Sequence, residues 1–339
     1  MDVEFIYLTQ REVLEAGLNM KMAVEICEET CRLHGLGQVV LPHKTVLDLG
    51  EKERGRINSL PAYVGGRFDA CGIKWIASFP KNPVERGLPR ATALLIINDS
   101  WSGIPLAVMD GTLISSVRTG AVTGVGVKYL ARKDSRVVGI IGTSVIAKTQ
   151  IEAIKTVLPS IEEVRAYSRT EEKRKRFAEF VTEKFGVKAV AASSAEEAVR
   201  DADIIVTATT ADAPIVKDAW VKKGSLFVHV GSYQEEEYEV VLNSDKVVVD
   251  DWEHVLHRRT PVLAKMYLEG VIDESKIYAN LREIVVGAKP GRESDDERIF
   301  FAPIGLGIFD VAIGYEIYKS AKEKGLGVKL KLFGGEPLV

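Results

Sequence analysis

Cysteine is scarce in this chain of 339 residues: Cys27, Cys31 and Cys71 are the only three. An odd count supports no closed disulfide framework, and the three form no zinc-like set. Cys27 and Cys31, four residues apart on an expected helix, read as packing residues of a protein in a reducing cytoplasm. An excess of either charge is also missing. The 45 Lys+Arg against 48 Asp+Glu leave a net charge of −3, which excludes a general nucleic-acid or polyanion footprint. No apolar run approaches the roughly 18 residues of a membrane span, and the opening stretch does not read as a signal peptide. There is no internal repeat, low-complexity linker, nucleophile elbow or Walker loop. What remains is 46% hydrophobic and 27% charged, the composition of a globular protein long enough for two domains.

The rhythm of the chain changes near residue 136. Before it, residues 11–35 carry apolar positions at helical spacing, and 39–49, 57–64, 70–78 and 91–98 read as strands separated by glycine turns. A turn at 99–103 leads to a strand at 105–109, then a helix over 112–131 despite three internal glycines. After it, strands at 136–141, 163–167, 188–191, 203–208, 226–230 and 246–249 alternate with helices at 145–156, 171–184 and 195–201. Such alternation predicts a parallel, doubly wound sheet. A glycine-rich turn at 303–307 and a helix to about 324 close the chain. The expected fold class is α/β: a Rossmann domain (114–313) inserted into a strand-rich α+β domain built from 1–113 and 314–339.

Residues Arg136–Gln150, RVVGIIGTSVIAKTQ, read as strand, glycine turn and helix start. That arrangement holds a dinucleotide pyrophosphate, because a small-residue turn admits the phosphates and a helix N-terminus offers free N–H groups. The motif is Gly142-x-Ser144-x-x-Ala147, with serine in place of the middle glycine. The next strand ends in Ser168-Arg169-Thr170, with Lys173 one turn on. An NAD enzyme usually places an acid there. A cation with two hydroxyls suits a ribose 2′-phosphate, so NADP(H) is expected before NAD(H).

Chemistry needs a carboxylate clamp and a proton donor. Lys74, flanked by Ile73, Trp75 and Ile76, is either buried, with its pKa lowered into a useful range, or on the polar face of its strand. Arg118 lies among Ser115, Ser116, Thr119, Gly120 and Ala121, small residues that let a carboxylate or pyrophosphate approach; the alternative is a surface arginine. His229 reads as a satisfied core histidine. His254 and His257, near Asp250, Asp251 and Glu253, lack a third ligand at a recognisable spacing, so no metal site is expected. The run Glu235–Glu237 reads as a solvated turn.

Four ordered blocks carry a resemblance: RATALLIINDSWSGIPLAVMDGTLISSVRTGAVTGVGVKYLA, GIIGTSVIAKTQ, YSRT and GAKPGRESDDERIFFAPIGLGIFDVAIGYEIY. Together the chain resembles the ornithine cyclodeaminase/mu-crystallin family over most of its length. The resemblance implies a homodimer and hydride transfer between nicotinamide and the α-carbon of an amino or imino acid. It implies Lys74 as the catalytic lysine and Arg118 as a carboxylate-binding arginine near the cofactor. Lys44 stands where many members have a substrate-binding arginine. Cofactor contacts are implied at Thr92, Arg118, Thr119, Gly142, Thr143, Ser144, Val145, Ile146, Ser168, Arg169, Thr170, Lys173, Thr207, Ala208, Thr209, Gly231 and Gly305. Cyclodeaminases carry an aspartate soon after the strand that ends here at Gly231. This chain has Tyr233 at about that place, a poor carboxylate substitute but a substrate contact. The pattern is therefore nearer the imine-reducing, alanine and opine dehydrogenase branches. Ornithine cyclisation and cofactor binding without turnover are the alternatives.

Overall fold

The computed structural model describes residues 2–50, 55–211 and 213–334. It divides into two compact units, Met1–Arg118 with Leu306–Val339, and Thr119–Gly305. The divisions fall at 118/119 and 305/306 rather than at the expected 113/114 and 313/314. The first lies inside a continuous helix, where composition gives no mark of a boundary.

The first stretch runs β1 (Val3–Leu8), α1 (Gln10–Glu15), α2 (Met20–Gly35), β2 (Val39–Val40), β3 (Thr45–Asp48), β4 (Arg56–Val64), β5 (Ala70–Ser78), α3 (Asn82–Glu85), β6 (Ala91–Asp99), β7 (Pro105–Asp110) and α4 (Gly111–Leu130). The single helix expected over 11–35 is two. Gly17 takes φ +110°, and the Asn19 side chain caps α2 by accepting from the Met22 N–H. The strand expected over 39–49 is likewise two short ones. Cys27 and Cys31 are buried on α2.

The second unit continues with β8 (Val137–Ile141), α5 (Val145–Val157), β9 (Glu163–Tyr167), α6 (Glu171–Phe185), β10 (Lys188–Ala191), α7 (Ala195–Val199), β11 (Ile204–Thr207), β12 (Leu226–His229), α8 (Tyr238–Leu242), β13 (Lys246–Val249), α9 (Trp252–Arg258), α10 (Val262–Leu268), β14 (Ile277–Asn280), α11 (Leu281–Val285) and β15 (Ile299–Ala302). Its strands are ordered β10-β9-β8-β11-β12-β15-β13-β14, and all the pairings are parallel. The order reverses direction between β8 and β11, the switch point at which open α/β sheets bind ligands. The central strands β11, β12, β15 and β13 are buried along their whole length, as a sheet covered on both faces requires.

Of the four glycines of α4, Gly120 and Gly126 are explained by packing in this unit. A Cβ on Gly120 would lie 2.4 Å from the Thr149 carbonyl oxygen, and one on Gly126 would lie 2.4 Å from the Phe301 ring. The helix-propensity loss of about 1 kcal/mol per glycine is offset by this close approach. Gly126→Ala is expected to destabilise the protein by about 1–3 kcal/mol through overpacking, measured as a lowered urea midpoint.

The chain closes with α12 (Gly307–Glu323) and β16 (Val328–Phe333), which return to the first unit. There the strands run β16-β1-β7-β6-β5-β4-β2, with β3 also on β4. All neighbours are antiparallel except β1 and β7. Helix α12 packs across β4, β5, β6 and β7 and against α2. Alternation along β5 sends Ala70 and Lys74 to the buried side, with Leu60 and Leu95 beside Lys74 on the adjacent strands. Trp75 points the other way, and is 44% exposed.

Candidate active site

Helix α12 meets this sheet through one stripe. A Cβ on Gly307 would touch Leu60, and one on Gly314 would lie 2.4 Å from Leu95. Asp310 sits between them at helical spacing, so its carboxylate reaches the row Leu60–Lys74–Leu95 where Lys74 is the polar member. Lys74 Nζ donates to Asp310 Oδ2 at 2.7 Å and to Ser115 Oγ at 3.0 Å. Arg118, one turn beyond Ser115 on α4, donates through Nε to Asp310 Oδ1 at 3.2 Å. Helix α4 is itself fixed at its start by Asp110, whose carboxylate accepts the Thr112 and Leu113 N–H groups.

Lys74, Arg118 and Asp310 are 1%, 9% and 0% exposed. The alternative of a solvated Lys74 or Arg118 is thereby settled by position. One carboxylate faces two cations in a buried cluster. Burial, followed by the charge of Arg118, brings the Lys74 ammonium down to about 7, against the opposing pull of Asp310. Lys74 can therefore hold or release a proton near neutrality. Cys27, close enough to feel Arg118 and Asp310, is kept a neutral thiol by burial.

The second unit holds the geometry expected of a dinucleotide cradle. Gly142, at φ +115°, follows β8. A Cβ there would lie 2.6 Å from the Ala208 carbonyl oxygen at the end of β11. The two turns on either side of the switch point are thus packed backbone to backbone, which only glycine permits. Ser144 has φ −82° and ψ −177°, an extended conformation open to any residue, which is why serine serves where glycine was expected. No side chain caps α5, so its first N–H groups are available to an anion such as a pyrophosphate.

At the end of β9, Ser168 is half-buried while Arg169, Thr170 and Lys173 are exposed. The acids that open α6 are engaged along the helix, Glu171 with Lys175 at 2.7 Å and Glu172 with Arg176 at 2.5 Å. Arg174 was missed in the sequence. It lies over the Tyr167 ring and donates to the Ser168 carbonyl at 2.9 Å, fixing this strand end.

The family model for the ornithine cyclodeaminase/mu-crystallin family matches residues 5–325. The chain belongs to this family. It is 39% identical over 335 residues to the alanine dehydrogenase of Archaeoglobus fulgidus, covering 98% of this chain and 99% of that protein. Similar solved structures include two at well over 30% identity. One is an archaeal alanine dehydrogenase dimer with bound NAD, with TM-score 0.90, 38% identity and coverage of 98% and 100%. The other is the Δ1-pyrroline-2-carboxylate reductase of Thermococcus litoralis in complex with NADH and L-proline, with TM-score 0.89, 37% identity and coverage of 96% and 99%.

Further positions that the family resemblance marks are placed as follows. Gly305, at φ +81°, is held by Asp250, a residue the sequence reading considered only for metal. Its carboxylate accepts the Ile304 N–H at 2.9 Å and the Gly305 N–H at 2.6 Å. Burial pushes the Asp250 carboxyl up to about 6. Thr207 ends β11 and Ala208 and Thr209 follow it; Thr143, Val145 and Ile146 flank Ser144; Thr119 opens the second unit on α4. Thr92 lies on β6 in the first unit, as does half-buried Lys44 between β2 and β3. Tyr233 is 38% exposed on the turn after β12. His254 pairs with Asp251 at 2.9 Å, and Asp251 also binds Arg282, so these groups form an ion network. The expected solvated turn at 235–237 is corrected: Glu235 and Glu236 are completely buried, drawn in by partners in the turn after β11 and on β12.

Proposed function

We propose that this chain is a nicotinamide-dependent oxidoreductase that interconverts α-imino and α-amino acids. The buried Lys74–Asp310–Arg118 cluster carries the reading, because its excess positive charge calls for an anion and its lysine titrates near neutrality. Arg118 binds the substrate carboxylate through its guanidinium fork, and Lys44 adds a second cation. Lys74 donates its proton to the imine nitrogen, while Asp310 and Ser115 aim the ammonium. A bound dinucleotide supplies the hydride to the α-carbon, so that C=N becomes CH–NH with one hydride and one proton consumed. In the reverse direction neutral Lys74 accepts the proton. Tyr233 contacts the substrate where cyclodeaminases carry an acid.

The test is cofactor absorbance near 340 nm with NADPH and a cyclic imino acid, then with a 2-oxo acid and an amine. Loss of absorbance supports the reading. Bound NADPH without oxidation on any such substrate, together with ammonia release from ornithine, would replace it with the cyclodeaminase reaction.

The preferred cofactor is NADP(H), with NAD(H) also accepted. Arg169 and Lys173 supply cations, Ser168 and Thr170 supply hydroxyls, and the neighbouring acids are engaged elsewhere. Arg169→Asp is expected to lower the NADPH-over-NADH ratio of kcat/KM by about tenfold or more, the worth of one charge-assisted contact. An unchanged ratio would show that this strand end does not read the 2′-phosphate.

The working form is a homodimer. The face of the first unit's sheet away from α12 presents Pro61, Ile73, Trp75, Leu94 and Ile96 in register across three strands, and Trp75 and Leu94 are both more than two-fifths exposed. An apolar area of this kind calls for a partner surface, and light scattering reads the stoichiometry.

A further inference from the structure

Behind the turns that follow β11 and β12 lies a group of three ionisable residues that the proposed reaction does not use. Glu235 and Glu236 are 0% exposed and His229 is 2% exposed. Glu235 Oε1 accepts the Thr209 N–H at 2.6 Å. Its main-chain oxygen accepts the Ile215 and Val216 N–H groups at 2.7 and 3.1 Å. A Cβ on Gly231 would lie only 1.8 Å from Glu235 Oε2, so the carboxylate rests directly against the Gly231 backbone. His229 Nδ1 lies 3.0 Å from Glu236 and 3.9 Å from Glu235. Among the described residues, His229 Nε2 and Glu235 Oε2 have no hydrogen-bond partner.

Burying two carboxylates beside one imidazole is costly, and only the hydrogen bonds and charge pairing that they make offset it. What they fix is legible in the connections. Glu235 ties the turn after β11 to the turn after β12. Its own position is held by main-chain bonds, while the imidazole that bonds Glu236 lies 3.9 Å away. In a doubly wound sheet the strand end after β9 takes the adenosine ribose and the turn after β8 takes the pyrophosphate. The remaining half of a dinucleotide then falls across the ends of β11 and β12.

We propose that Glu235, buried beside the His229–Glu236 pair, is a positioning residue for the nicotinamide half of the cofactor. It acts through the Thr209 amide and the Gly231 backbone, and touches no substrate. This inference rests on the dinucleotide reading above.

The experiment compares full-length wild type, Glu235→Ala and Glu235→Gln for binding of NADPH and of 2′-phospho-ADP-ribose, which lacks nicotinamide, and for steady-state kinetics. For Glu235→Ala we expect NADPH to bind about tenfold more weakly or worse, with 2′-phospho-ADP-ribose within twofold of wild type. The NADPH KM should rise, and imine reduction should slow at saturating cofactor. Glu235→Gln keeps an acceptor for the Thr209 N–H and should recover most of the loss, which a general loss of folded protein would not. Equal weakening of both ligands, or no change in either, would overturn the proposal. Wild-type protein that binds neither of these ligands, nor NADH, would overturn the dinucleotide reading itself, and that result is visible before any variant is made.

Discussion

Lys74→Met reduces imine turnover by about 10²–10⁴-fold, the usual contribution of a positioned acid or base, and leaves the affinity for NADPH unchanged. Methionine keeps the length of the side chain and removes the proton. Asp310 retains Arg118 as a partner at 3.2 Å, so the variant has no orphaned carboxylate and should fold. The pH profile separates a lost acid from a misplaced one. In wild type the Lys74 ammonium is brought down to about 7, so kcat/KM for reduction should fall as pH rises through that value and the donor is lost. The oxidative direction needs the neutral amine and should rise over the same limb. Arg118 is one of the groups that lowers Lys74. Arg118→Met should therefore move the limb to higher pH, besides weakening carboxylate binding. Turnover by Lys74→Met equal to wild type would remove lysine from the mechanism.

Asp310→Ala has the largest expected effect on stability. The carboxylate is fully buried between two cations, and its loss leaves them facing each other without compensation. Breaking a buried ion pair from one side costs about 3–5 kcal/mol, which denaturant unfolding would show directly. The loss should also depend on pH. Lys74 has a folded-state pKa below its ordinary 10.5, so between the two values the unfolded chain binds the extra proton. The contribution of this group to stability then rises with pH. Asp310 supports the ammonium, so without it the folded-state value drops further and the window opens at lower pH. Asp310→Ala should thus be least stable in mild acid and recover part of its deficit towards alkaline pH. An equal deficit at every pH would mean that Lys74 is not the charge left uncompensated.

The strands were the most legible elements. β5, β9, β10 and β13 take the bounds read from apolar runs and glycine turns, because an apolar run between breakers leaves few alternatives. Lys74 and Arg118 stood out as cations in apolar or small-residue surroundings. Asp310 carries the same signal, one acid within the apolar run Gly307–Gly314, but its partners lie on β5 and α4, far away in sequence. Glu235 and Glu236 could not be read at all. A run of three acids has no period to show which carboxylates turn inward, and their partners are separated in sequence, in the turn after β11 and on β12. The helices α8 to α11 escaped because they have five to seven residues each, too few for a helical stripe to emerge.

The insertion of one unit within the other has a consequence for biosynthesis. Lys74 leaves the ribosome 236 residues ahead of Asp310, and the whole of the second unit is translated between them. That unit is contiguous in sequence and can complete its sheet on the nascent chain, as domains commonly do. The first sheet must wait, its inner apolar face and its lysine uncovered, until α12 emerges to close it. The slow, aggregation-exposed interval in making this protein therefore belongs to its earliest-synthesised part, and a ribosome stalled before α12 would strand a finished nucleotide-binding unit on an unfinished partner.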